Sequence, residues 1–147
     1  MDLPWHQAQY GQLKIFFIGE KMNNYLHLAG RILLALIFVL SGAGKLANPG
    51  GTIGYMQAMG VPALLFWPTV ALELLGGLAI IAGFRTRIVA FLLAGFCVVS
   101  GLLFHNNFAD QMQMIMFMKN LAMAGGFLLL ASTGATALSV DSVIRKK

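Results

Sequence analysis

Three ionisable side chains stand inside otherwise apolar stretches of this 147-residue chain: Arg31, Glu73 and Lys119. A charge in a membrane-spanning helix costs about 2.5–3.5 kcal/mol, so it persists where it is paired, reaches an interface or carries function. An intramembrane carboxylate can exchange a proton or hold a ligand, whereas a buried ion pair can lock helices together. Counting along the helices, Arg31 lies about 8 Å above the cytoplasmic end, Glu73 about 15 Å and Lys119 about 21 Å from the same side. Glu73 is thus bracketed by Arg31 below and Lys119 above, across gaps of about 6–8 Å that long cationic side chains can close. The spacing predicts Glu73 charge-coupled to Arg31, Lys119 or both. Asn120 is placed to hydrogen-bond between helices. Lys45 lies near the outer interface, where it can snorkel.

A second polar group, His105, Asn106, Asn107 and Asp110, crowds the outer end of the third apolar stretch. It could bind a polar headgroup or a quinone carbonyl, or relay a proton; a solvated loop is the plainer reading. Metal chemistry is not supported. The histidines are His6, His27 and His105, and the last two are separated by most of a bilayer of about 30 Å, too far to share a haem. No Cys/His/carboxylate group has metal spacing, so no metal and no intrinsic cofactor are predicted. Cys97 is the single cysteine; it can form neither an internal disulfide nor a dithiol centre and reads as a small buried hydrophobe. Met112, Met114, Met116, Met118 and Met123 could suggest a thioether site for Cu(I), but helical spacing spreads them around the helix, as packing residues would be.

The elements that must position these groups are membrane helices. Hydrophobic residues make up 59% of the chain and charged residues 10%, against about 45–50% and about 25% in soluble domains. That excludes a soluble monomer and a disordered chain. The net charge of +5 comes without a compact basic and aromatic patch, which argues against nucleic acid. Four stretches meet the need for about 20 mostly apolar residues per span: residues 26–46, 63–83, 88–104 and 113–133. Residues 47–62 are rich in Gly and Asn and contain the turn signal Asn48-Pro49-Gly50-Gly51. Phe84-Arg85-Thr86-Arg87 forms a tight hairpin, and residues 105–112 join the last two spans. The small pairs Ala79/Gly83, Ala90/Ala94 and Ala122/Gly126 permit close helix contact. The predicted fold is an all-α integral membrane four-helix bundle.

Seven basic residues, Lys14, Lys21, Arg85, Arg87, Arg145, Lys146 and Lys147, fall on one side of such a bundle, and the loops of the other side hold none. The positive-inside rule then places both termini in the cytoplasm. Residues 1–25 read as an N-terminal arm, with a weakly amphipathic piece at residues 13–18 and a second candidate start at Met22; residues 26–138 form the membrane domain and residues 139–147 a basic tail. A signal peptide ending at Ser41-Gly42-Ala43 is the rival reading of the first span. Cleavage would remove a span and leave Glu73 and Lys119 with fewer partners, so retention is expected.

Taken in order, the polar marks resemble the DoxX family over residues 28–141. The matching pieces are GRILLALIFVLSGAGKL with Arg31 and Lys45, GTIGYMQAMGVP, LELLGGLAIIAGFRTR with Glu73, FHNNFADQM with His105, MKNLAMAGGFLLLA with Lys119 and Asn120, and the Ser139-Val140-Asp141 ending. The nearest likeness is to the short DoxX-like inner-membrane proteins of Gram-negative bacteria. The resemblance implies a four-helix bundle in the bacterial inner membrane and a redox association. Family names refer to subunits of a thiosulfate:quinone oxidoreductase or a terminal quinol oxidase, and some relatives are linked to oxidative-stress complexes. No catalytic centre of its own is visible in these residues. The expected function is therefore an auxiliary membrane subunit whose redox centres sit on a partner protein, with quinone reached through that complex. Two other classes fit the residues: a small-molecule or proton carrier using Glu73, and a structural membrane protein. The bilayer is the first partner, and a homo-oligomer is compatible with the chain.

Overall fold

The computed structural model describes the backbone of residues 4–146 and the side chains of residues 19–146. Six α-helices and one short 3₁₀ turn follow one another, with no strand among the described residues. Helix α1 runs over Pro4–Ala47, α2 over Pro49–Ala58, α3 over Phe66–Ala82, α4 over Thr86–Phe104, α5 over Gln111–Thr133 and α6 over Val140–Ile144. Four segments are long and apolar enough to cross a membrane: Gly19–Ala47, Ala63–Ala82, Thr86–Phe104 and Gln111–Thr133. The all-α four-span bundle expected from the sequence is the architecture observed.

One expected connection is corrected. The first span, residues 26–46, falls inside the longer helix α1, which no proline interrupts after Pro4. The side chains of residues 13–18, read as an amphipathic piece, lie outside the described residues. The connection at residues 47–62 is largely helix. Asn48 leaves the helical region (φ −139°) and its Oδ1 accepts from the Gly51 amide at 3.0 Å, with Pro49 opening α2. An Asn followed by Pro serves both a turn and a helix start, and here it caps a helix.

Local chemistry sets the other ends. Gly83 closes α3 in the left-handed region (φ 70°), with its amide donating to the Ile80 carbonyl and the Phe84 amide to Ala79. That is the Schellman pattern, which a residue without Cβ adopts at little cost. Asp110 caps α5, accepting from the amides of Met112 (2.8 Å) and Gln113 (3.2 Å). Ser139 caps α6 through the Ser142 amide.

Helix α1 packs along α3, and α4 along α5; α3 and α4 share a shorter contact, and α1 and α5 touch at few positions. Gly77 lets α1 come close to α3: a Cβ there would stand 2.7 Å from Val39 Cγ2. Of the small residues expected to pack, Ala90 and Ala94 are buried and Gly126 lies against Leu34, whereas Ala122 is exposed. The main core joins Ala35 and Phe38 to Ile80, Leu93, Cys97 and Phe127. Cys97 is thus a core residue. A smaller cluster of Met56, Val61, Phe66 and Val70 closes the end opposite the C-terminal segment.

Candidate functional site

Lys45 lies near the end of α1, one helical turn after Ser41, and Glu73 lies midway along α3. In a helix the Cα–Cβ bonds lean toward the N-terminus. The two helices run antiparallel, so Lys45 leans toward the bundle interior and Glu73 toward Lys45. The Lys45 ammonium stands 2.8 Å from Glu73 Oε2 and donates to Oε1 at 2.9 Å. It also donates to Ser41 Oγ at 2.6 Å, and that hydroxyl donates to Glu73 Oε1 at 3.3 Å. The Glu73 side chain is 5% exposed and that of Lys45 23%.

This corrects the expected pairing: Glu73 meets neither Arg31 nor Lys119. Arg31 leans the other way, toward the inner end. It is buried, its Nη2 donates to the Leu138 carbonyl, and its guanidinium fills the space where a Cβ on Gly83 would sit. Lys119 is exposed on the outside of α5 and forms no ion pair among the described residues. Asn120 does not bridge helices through a hydrogen bond; its Nδ2 donates to the Met116 carbonyl one turn back at 3.0 Å, while its Cβ packs against Gly101. Lys45 does not snorkel outward but turns inward to the carboxylate.

A cavity of about 840 Å³ opens above the ion pair. Ser41 and Lys45 form part of its floor with Glu73. Tyr55 of α2 and Phe96 and Phe104 of α4 supply aromatic surface, and Thr69 and Ser100 supply hydroxyls. Tyr55 and Phe104 stack with centroids 5.6 Å apart. His105 reaches the rim, where its Nδ1 lies 2.9 Å from Gln113 Oε1. Of the expected outer polar group, His105 and Lys45 therefore line one cavity, whereas Asp110 is occupied as a helix cap. Ser41, Thr69 and Ser100 were missed in the sequence, because single hydroxyls in apolar helices carry no spacing signal.

The Lys45 ammonium thus bridges both oxygens of the Glu73 carboxylate and the Ser41 hydroxyl, and Glu73 Oε2 is shielded from the surroundings. Among the described residues no three His, Cys, Asp or Glu side chains gather as a metal-binding group.

A second polar cluster staples the C-terminal segment to the inner end. The Asp141 carboxylate accepts from the amides of Arg85 (2.8 Å) and Thr86 (2.9 Å), capping α4 from a distant part of the chain. The Asp141 amide donates to the Gly83 carbonyl at 2.9 Å. Partial burial pushes the Asp141 carboxyl up, but hydrogen bonds from Thr86 and Arg85 and the charge of Arg145 outweigh it and hold the group below its ordinary value.

The DoxX family model matches residues 26–106. The chain is 46% identical to the inner membrane protein YqjF of Escherichia coli (strain K12) over 128 residues, 87% of this chain and 98% of that one. It is 35% identical to the inner membrane protein YphA of the same organism, over 78% of this chain and 86% of that one. A shorter match, 34% identical over 44% of this chain and 48% of the relative, is to "Putative oxidoreductase CatD" of Bacillus subtilis (strain 168). No solved structure matches the chain significantly. With four spans and relatives of this length and identity, the chain belongs to the DoxX family and is a multi-pass inner-membrane protein.

Proposed function

We propose that this protein is an auxiliary membrane subunit of a quinone-linked oxidoreductase or oxidative-stress complex, with redox centres on a partner and the quinone head group received in the cavity above Lys45 and Glu73. The observation that carries this reading is a lysine–glutamate pair, its lysine partly accessible, at the floor of an aromatic-walled cavity. A quinone carbonyl accepts from an ammonium, and a quinol hydroxyl donates to a carboxylate. A flat ring suits the faces of Tyr55, Phe96 and Phe104. The volume falls within the roughly 300–1,000 Å³ of small-molecule sites. The oxidoreductase name of one relative agrees with the reading.

The test is binding of a tail-less dimethoxy-methyl-benzoquinone and of its quinol to the purified full chain, followed by calorimetry. Loss of a hydrogen bond to a charged group is worth about 1.5–3 kcal/mol, so Lys45→Met should weaken binding of the quinone, and Glu73→Gln binding of the quinol, by about tenfold or more. No binding by the wild-type chain, or wild-type affinity in both folded variants, would overturn the reading.

One observation favours a second reading, a small-molecule or proton carrier. Glu73 is a buried carboxylate in a membrane-spanning helix and lines the cavity, and intramembrane carboxylates mark ion and proton pathways. Such a carrier gives pH-dependent flux in liposomes that Glu73→Gln abolishes. Reduced stability with neither flux nor binding would leave the pair as a structural lock.

A further inference from the structure

Resting on the quinone reading, we propose that the cavity fills sideways from the bilayer through a portal between α3 and α4, and that its ligand is a long-tailed quinone whose tail lies in that portal. The lining comes from α1, α2, α3 and α4 and their flanking turns; α5, although packed along α4, supplies none of it. Residues from the first half of α3 and the second half of α4 thus both face the void. In the inner half the two helices come closer: a Cβ on Gly76 would stand 3.5 Å from Leu93 Cδ2 and 3.6 Å from Val89 Cγ1. In the outer half the two helices face each other across the cavity.

The residues along this seam are graded in polarity. Glu73 and Lys45 lie at the inner extremity. Pro68 on α3 and Val99 and Leu103 on α4 line the cavity and are also open to the surroundings, Val99 at 54% and Leu103 at 42% exposure. All three belong to membrane-spanning segments, so lipid chains are the medium at this mouth. A wholly polar ligand would have to shed its hydration before passing there. A molecule with a polar ring and an apolar tail passes with the tail still in an apolar medium, and the tail covers Val99 and Leu103 as the ring reaches the ion pair. The grading thus selects the tailed carrier over a water-soluble quinone.

The experiment uses the full chain in nanodiscs of phosphatidylethanolamine and phosphatidylglycerol with two probes, the tail-less benzoquinone and its decyl-tailed counterpart. Val99→Trp narrows the mouth without touching the floor. It should weaken decyl-quinone binding about tenfold or more relative to wild type, with the tail-less probe little changed. Leu103→Trp, at a second exposed position, should do the same and covers the case in which the first variant misfolds. A decyl quinone with a photoreactive group at the tail end should label peptides containing Pro68 or Val99 and spare α2. Decyl-quinone binding unchanged by both folded variants, equal loss of both probes, or labelling confined to α2 would overturn the portal while leaving the quinone reading standing. Failure of the wild-type chain to bind either probe would overturn that reading and the portal together.

Discussion

Lys45 and Glu73, 28 residues apart and on antiparallel helices, meet at 2.8 Å at the floor of the cavity. Neither has another charged partner among the described residues, so the pair is the electrostatic link between α1 and α3. Removing one member strands the other in a medium that cannot solvate it, which costs about 3–5 kcal/mol in buried pairs. Glu73→Gln and Lys45→Met should each lower stability in detergent by an amount toward the lower end of that range, because Lys45 is partly accessible. The double variant should recover part of the loss. The same cycle run with Lys119→Met or Arg31→Met should show coupling near zero. Thermal denaturation followed by circular dichroism measures all of these, and additive losses for Lys45 and Glu73 would refute the link.

Two glycines in membrane helices should respond in opposite ways to alanine. At Gly77 the new Cβ would press on Val39 Cγ2 at 2.7 Å and on the backbone of α1. Gly77→Ala should force α1 and α3 apart and destabilise by about 1–3 kcal/mol. Around Gly95 nothing stands within 4 Å of the Cβ position. Gly95→Ala should be neutral or stabilise by up to about 1 kcal/mol through helix propensity. Melting temperatures compared side by side decide it; equal effects would show that the α1–α3 contact tolerates the added carbon.

Acid should loosen the C-terminal staple. The Asp141 carboxyl is held below its ordinary value in the folded chain. Its stabilisation is therefore complete above the ordinary carboxylate value and is lost as pH falls through the lower folded value. Hydrogen exchange of residues 134–146 should accelerate in that acidic window and stay slow at neutral pH. Asp141→Asn should raise exchange at neutral pH, with a loss of about 1 kcal/mol, as for a removed helix cap. A neutral-pH profile identical to wild type would show that the caps on Arg85 and Thr86 contribute nothing.

Four spans return the C-terminal segment to the end where α1 enters, and the basic residues of the α3–α4 turn lie at that same end. The positive-inside rule predicts that this end is cytoplasmic. A reporter active only in the periplasm should be silent when fused after Lys147. It should be active when inserted between Asn107 and Phe108, in the turn that follows α4. The reverse pattern would invert the bundle.

The amino-acid sequence by itself determined the four spans, their order and the family, because apolar length and the placing of polar marks are one-dimensional quantities. Three of the four spans, residues 63–83, 88–104 and 113–133, were legible to within about two residues of the observed segments. Glu73 was legible as the central carboxylate for the same reason, since a charge in an apolar run stands out without any knowledge of its neighbours. Its partner was not. Depth counted along Cα positions brackets Glu73 between Arg31 and Lys119, but side chains lean toward helix N-termini, and packing decides which faces meet. The lean carries Arg31 to the Leu138 carbonyl, and rotation about α5 leaves Lys119 on the outside. Likewise Asn48-Pro49 satisfies the local rules of a turn and of a helix start alike, and the helical course of the chain that follows makes it a cap for α2. The cavity belongs wholly to the tertiary structure: its aromatic walls and hydroxyls come from four helices, and no spacing along the chain records which of their faces meet around it.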